Sequence, residues 1–409
     1  MLAHCFINEM ESNSSQNEVT SWLPIIGLAF AAFVFNTSEF LPVGLLPDIA
    51  ESLNETVSFT GLMITGYAWV VAAMSLPLTV ATATFERRKL LLFLILFFAL
   101  AHLVVLWVNS FGTLLASRIV VALTHSVFWS IMTPLAARMA PKGKYTIGLA
   151  AVMGGSVVAT VMGIPIGTKL GHLLGWQAAF FVIGMAALVL MGYISYFLPP
   201  CPVRSAGSLK SLPIILKRPA LRQLYFLTVV TVLGHFTVYS FVVPILQTEA
   251  GYSPSSVVLF LFIFGVSGMI GTVVATRVVD HHVSAALTVP LSIIALSLFL
   301  LYPACATLVS TIALLIVWGA AMTAVMLAFQ TVLLRVAPDA ADIATSIYSG
   351  IFNVGIGGGA FVGSLLSESF GFRSLPVAGG ALAAVSAGLC LVLWLKTGCA
   401  ILPFQKNKT

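Results

Sequence analysis

Charge is scarce in this sequence. Only 8% of its 409 residues are Asp, Glu, Lys or Arg and 59% are hydrophobic, against roughly 25% charged in soluble domains. With a mean hydropathy of +1.07, an ordinary soluble domain is excluded. Cysteine is sparse too. Cys5, Cys201, Cys305, Cys390 and Cys399 are odd in number and stand in no paired metal spacing, which argues against a disulfide framework or a cysteine metal site. No HExxH, GxSxG or paired carboxylates interrupt the apolar runs, so no enzyme chemistry is visible and no cofactor or metal is expected. A cleavable signal peptide is not expected either: the first residues carry Glu9, Glu11 and Glu18 but no Lys or Arg, and Met10 is an alternative start.

What is present is long apolar runs. They lie at about 22–46, 57–82, 89–108, 111–137, 146–168 and 176–198, then at 223–247, 255–278, 284–303, 307–334, 340–366 and 374–396. Each has about the 20 residues that a helix needs to cross a bilayer. The expectation is an all-α membrane protein of twelve transmembrane helices in two pseudo-symmetric six-helix bundles, 22–198 and 223–397. A tail (1–21), a linker (199–222) rich in Pro, Ser and basic residues, and a second tail (398–409) complete the chain. Basic residues favour the cytoplasmic side. Placing both termini there puts sixteen of the nineteen Lys and Arg inside and only Lys169 and Arg373 outside; Arg118 alone is left within a span. The net charge of +6 therefore belongs to loop orientation, and no nucleic-acid partner is expected.

The acids single out one residue. Twelve of the thirteen Asp and Glu fall in tails, loops or span ends, and only Glu39 lies well within a span. An intramembrane carboxylate is costly and by default functional. Pro42, three residues on, leaves the carbonyl of Ser38 without its helical donor and bends the helix there. Counting 1.5 Å per residue from the helix ends, Glu39 and Arg118 both sit roughly 10 Å below the outer surface, so the two are candidate partners. His125 lies two turns below Arg118 on the same face. A proton-carrying group and a neutral histidine bonded between helices are both open readings for it. His102 is the weakest candidate of this set.

The two sets of six suggest duplication. Gly163, Gly167 and Gly171 in the fifth span match Gly355, Gly359 and Gly363 in the eleventh, 192 residues later. Small residues at this spacing allow close helix approach, which gives Gly163, Pro165, Gly167, Gly355, Gly359 and Pro42 packing or gating roles.

On these residues the sequence resembles the major facilitator superfamily over essentially its full length. GIPIGTKLGHLLGWQAAF (163–180) is a degenerate antiporter signature, and SRIVVALTHSVFW (117–129) is the fourth-span arginine motif. FNTSEFLPVGLL (35–46), YAWVVAAMSLPL (67–78), SLKSLPIILKRPAL (208–221) and SGIFNVGIGGGAFVG (349–363) look like the bacterial sugar efflux transporters of the drug/proton antiporter branch. The resemblance implies alternating access and sugar export by proton antiport from a bacterial inner membrane. Glu39, Arg118 and His125 are then the proton-coupling candidates, with a static structural ion pair the other open reading of Glu39 and Arg118. Asn36, Trp129, His235, Tyr239, Gln330 and Asn353, which offer hydrogen bonds and apolar faces to a polyol, become the substrate-binding candidates. Individually each is also an ordinary helix–helix contact. The partners expected are a small sugar, protons and the lipid bilayer, with the chain a monomer. A multidrug/proton antiporter of the same fold is the alternative. Departures stand out: in the loop between spans 2 and 3, Thr79 and Ala83 stand where a Gly and an Asp are usual and Glu86 replaces a second Gly, and at the fifth span Gly-Pro becomes Gly163-Ile164-Pro165. Glu86, Arg87 and Arg88 are candidates for a substitute latch in that loop.

Overall fold

The computed structural model describes residues 21–141, 144–202, 217–279, 281–337 and 341–397. The two tails and most of the linker fall outside this set. Twelve helices carry the described chain, and among the described residues there is no strand. The first six are α1 (Leu23–Gly44), α2 (Val57–Ala81), α3 (Arg87–Leu103), α4 (Phe111–Met139), α5 and α6 (Trp176–Phe197). The second six are α7 (Pro219–Tyr239), α8 (Pro254–Val278), α9 (Val283–Phe299), α10 (Leu308–Val336), α11 (Ala341–Phe370) and α12 (Ser374–Thr397). Helix α5 runs Tyr145–Val158, widens to a π turn over Ala159–Gly163 and continues Ile164–Leu174. Eleven helices have the length and apolarity to cross a membrane, and α9 is the shorter twelfth.

Duplication is visible helix by helix. Leu23 and Pro219 open α1 and α7, Arg87 and Val283 open α3 and α9, and Tyr145 and Ala341 open α5 and α11, each pair 196 residues apart. The starts of α2 and α8, and of α4 and α10, differ by 197. Even the caps repeat. Thr56 and Ser253 accept the backbone N–H three residues on, and so do Ser110 and Thr307, giving each helix an N-cap of about 1 kcal/mol. Helix α9 has 17 residues, and so does α3, its counterpart. Each is extended by a tight turn, Val104–Trp107 or Leu301–Ala304.

Glycines bring α5 onto α1 and α11 onto α7. A Cβ at Gly163 would stand 2.1 Å from Thr37 Oγ1, and one at Gly167 would stand 2.7 Å from Leu41. At Gly359 it would meet the Leu233 carbonyl at 2.6 Å, and at Gly363 the Thr237 carbonyl at 2.7 Å. Thr37 with Leu233, and Leu41 with Thr237, are themselves 196 apart. The structural register is therefore 196, and the 192 of the glycine runs is one helical turn out. Pro165 lacks an N–H and crowds the carbonyl four residues back, so the π turn just before it is the local adjustment. There Ile164 N–H bonds to Ala159 O, five residues back. Gly265 of α8 lets that helix lie against the turn, where a Cβ would be 2.7 Å from Thr160 O.

The two halves meet mainly along α2 and α11. Ser58 Oγ and Ser367 Oγ are 2.7 Å apart, Ser364 donates to Ser58 O (2.6 Å), and Thr65 donates to Gly357 O (3.2 Å). The half-exposed indole of Trp69 covers Gly357.

At the opposite end of α2, Glu86 caps α3 by accepting from Arg88 N and Lys89 N, both at 2.9 Å. It also takes Cys201 N at 2.5 Å, while Arg87 donates to the two carbonyls just past the end of α2, Thr82 O and Ala83 O. The loop is latched to its own half and to the start of the linker at Cys201.

Candidate functional site

A small cleft between the halves is lined by Glu39, Phe40 and Pro42 of α1, Tyr67 of α2, Arg118 of α4, Phe236 of α7 and Ile356 of α11. Glu39 is the acid of the apolar spans, and its Oε2 lies 3.5 Å from His125 Nε2 on α4. Arg118 is also buried, 2% exposed. Its guanidinium does not pair with Glu39. It forks onto the preceding residue instead, with Nη1 donating to Ser38 Oγ at 3.1 Å and Nη2 donating to Ser38 O at 3.0 Å. That carbonyl is the one Pro42 leaves free. The guanidinium also lies over the Tyr67 ring, 4.6 Å from its centroid, a cation–π contact.

Behind this fork stands His102 of α3. Its Nε2 is 2.7 Å from Ser38 Oγ and its Nδ1 is 2.8 Å from Phe98 O. Tyr67 Oη, Arg118 Nε and His125 Nδ1 are buried and take no hydrogen bond from the protein. Groups of this kind cost about 1–3 kcal/mol each when left unpaired, and these are three of the nine such side-chain atoms among the described residues.

The register of 196 pairs Glu39 with His235 and Phe40 with Phe236. The rings of Phe40 and Phe236 touch, 6.2 Å between centroids, which puts them beside the pseudo-twofold axis. His235 accepts from Trp318 Nε1 at 3.1 Å and stacks on Tyr239 at 5.0 Å, with Phe264 stacked on Tyr239 at 5.1 Å. All of these sit in a packed aromatic cluster.

The remaining sequence candidates are spread out. Asn36 donates to Ser156 O (3.3 Å) and ties α1 to α5. Trp129 is half-buried beside His125, 6.2 Å between rings. Asn353 donates to Ser349 O of its own helix and leaves Oδ1 unpartnered. Gln330 is exposed, one turn along α10 from Met326, whose sulfur accepts from Tyr348. Of the predicted residues, the cleft gathers Glu39, Arg118 and Pro42, with His125 behind Glu39.

The sequence profile of the Major Facilitator Superfamily matches residues 28–343. The chain belongs to that superfamily. Solved structures of the same fold include a bacterial homologue of the human lysosomal transporter Spinster in two inward-facing states. The unoccupied state has a TM-score of 0.71 at 13% identity, covering 93% of this chain and 96% of that one. The occupied state has a TM-score of 0.73 at 15% identity, covering 90% and 95%. The human organic anion transporter MFSD10 has a TM-score of 0.67 at 15% identity, covering 90% and 98%.

Within this superfamily member, sequence reasoning named the Ser38 carbonyl but not its hydroxyl or Tyr67, and it placed His102 last among the candidates. The depth count that pairs Glu39 with Arg118 also places His102, five residues before Trp107, in the same layer. Applied to histidines as well as charges, it would have found the three-helix cluster.

Proposed function

We propose that this superfamily transporter exports sugars from the cytoplasm in exchange for protons, by alternating access across the bacterial inner membrane with both termini cytoplasmic. The observation that carries the reading is the placement of Glu39. The one acid deep in the described spans faces a cleft walled by both halves, so relative movement of the halves changes which side it faces. Proton uptake at Glu39, with His125 as neighbour and Arg118 held one residue away, then couples to that movement. In the proposed orientation, the Ser58–Ser364–Ser367 contacts close the outer end, as expected of an inward-facing transporter. The sugar assignment rests on the motifs at 35–46, 67–78, 208–221 and 349–363 and on the hydroxyl, imidazole and amide groups lining α1, α4, α7 and α11.

The test uses inverted membrane vesicles, with labelled pentose and a cationic dye each supplied with and without an imposed proton gradient. Gradient-dependent pentose uptake supports the reading; dye uptake without pentose uptake replaces it with multidrug/proton antiport. Glu39→Gln is expected to lower accumulation against a gradient by more than about tenfold, about 1.4 kcal/mol, while sparing downhill exchange. Normal uphill transport by that variant overturns the role of Glu39.

A further inference from the structure

We infer that His102 is a positioning residue: as a neutral imidazole protonated on Nδ1, it orients Ser38 and through it fixes Arg118 beside Glu39. This rests on the proton-antiport reading above. The hydrogen-bond polarity follows from valence. Phe98 O is purely an acceptor, so His102 Nδ1, 2.8 Å away, carries the proton. The neutral ring then presents a lone pair at Nε2, and the Ser38 hydroxyl 2.7 Å away must donate to it. With its proton committed, Ser38 Oγ is left with acceptor capacity, which meets Arg118 Nη1 at 3.1 Å. One direction satisfies every atom: Arg118 to Ser38, Ser38 to His102, His102 to Phe98. An imidazolium would set a second donor against Ser38 Oγ, beside Arg118 Nη1, and leave the hydroxyl proton without its acceptor in this chain.

The surroundings hold the ring in place. His102 is 1% exposed, stacked on Phe98 at 4.2 Å and flanked by Phe180 at 6.0 Å. Gly184 of α6 makes room, since a Cβ there would be 3.0 Å from His102 Cβ. The charged or titratable groups around the cluster come from three other helices: Glu39 of α1, Tyr67 of α2, and Arg118 and His125 of α4. Without the His102 acceptor the Ser38 hydroxyl is free to rotate, the fork loosens, and the guanidinium can swing to the carboxylate one residue along α1. The α3–α4 register does not depend on the ring, because Ser117 Oγ donates separately to Ala101 O at 2.8 Å.

The test compares His102→Phe, which fills the space without an acceptor, with His102→Gln, which restores one. The full chain is assayed in inverted vesicles for the pH dependence of proton-driven export and for downhill exchange. The Phe variant is expected to move the pH midpoint of export by about one unit toward acid with downhill exchange within about twofold of the parent, and the Gln variant to restore the midpoint. Ser38→Ala should move it the same way, and the Ser38→Ala/His102→Phe double variant no further, because the residues act through one chain. If His102→Phe fails to fold, judged by gel filtration, Ser38→Ala carries the test. An unmoved midpoint, or equal shifts in the Phe and Gln variants, overturns the inference. Pentose uptake by the parent that does not respond to the proton gradient would instead overturn the antiport reading itself.

Discussion

A guanidinium inside an apolar bundle must find acceptors without water. Arg118 finds two on a single residue, the hydroxyl and carbonyl of Ser38, and a ring face on Tyr67. Pro42 supplied the second acceptor by lacking an N–H, and that consequence was readable from sequence. The partner was not. Spacing gives height along a helix but not the direction a side chain takes around the bundle axis, so Arg118 was placed at the right level and one residue off. Glu86 shows the same limit at the other end of the molecule, where a latch was expected and its partners, Cys201 N and the first turn of α3, were not. Burial raises the Glu86 carboxyl, but the N–H groups of Cys201, Arg88 and Lys89 outweigh it and hold the group below the usual carboxylate range. A lowered folded value means that the stabilisation is full above the ordinary Glu value of about 4.3 and is lost as pH falls through the folded value. Glu86→Ala is therefore expected to cost about 1 kcal/mol at pH 7, in the range of an N-cap. The gap between variant and parent in thermal midpoint, measured in detergent, should narrow below about pH 4. A gap independent of pH would assign the effect to packing.

Helices in this protein are set at distances that particular glycines permit. Gly154 and Gly155 are adjacent in α5 and differ in what they face. A Cβ at Gly155 would be 2.1 Å from the Ala29 carbonyl oxygen of α1, while nothing lies within 4 Å of one at Gly154. Backbone cannot move aside as a side chain can, so Gly155→Ala is expected to destabilise by about 1–3 kcal/mol. Gly154→Ala relieves the helix of a flexible residue and should stabilise by up to about 1 kcal/mol. Opposite shifts in denaturation midpoint for these neighbours are the check; equal shifts would mean that α1 and α5 do not meet there. At this scale the sequence was most informative about number and least about register. Twelve apolar runs gave twelve helices, because length and hydropathy are properties of one segment. The repeat offset was read from glycine runs as 192, when contacts and helix starts give 196. A GxxxG run looks alike when slid by one turn, and only the partner helix distinguishes Gly163 opposite Thr37 from its neighbours.

Duplication gives the molecule an approximate twofold axis, and the chemistry departs from it where coupling is proposed. Glu39 on α1 corresponds to His235 on α7, yet Glu39 faces the cleft whereas His235 is enclosed by Tyr239, Phe264 and Trp318. The two halves thus offer equivalent places and unequal groups, with an acid on one side and an aromatic cluster on the other. For such an arrangement to work by alternation, the seam along α2 and α11 has to part in every cycle. Its Ser58–Ser367 contact, with hydroxyl oxygens 2.7 Å apart, sets paired cysteines within reach of disulfide geometry. A Ser58→Cys/Ser367→Cys variant treated with oxidant is expected to lose export by more than about tenfold, or about 1.4 kcal/mol, and to recover with reductant. The single variants, treated alike, should keep export and are the control for oxidation at the five native cysteines. Export that continues while the cross-link is demonstrably intact would show that the halves do not separate at this seam. Alternation would then have to proceed through α5 and α8, where Gly265 meets the π turn, and Gly265→Leu rather than the disulfide would become the substitution that stops transport.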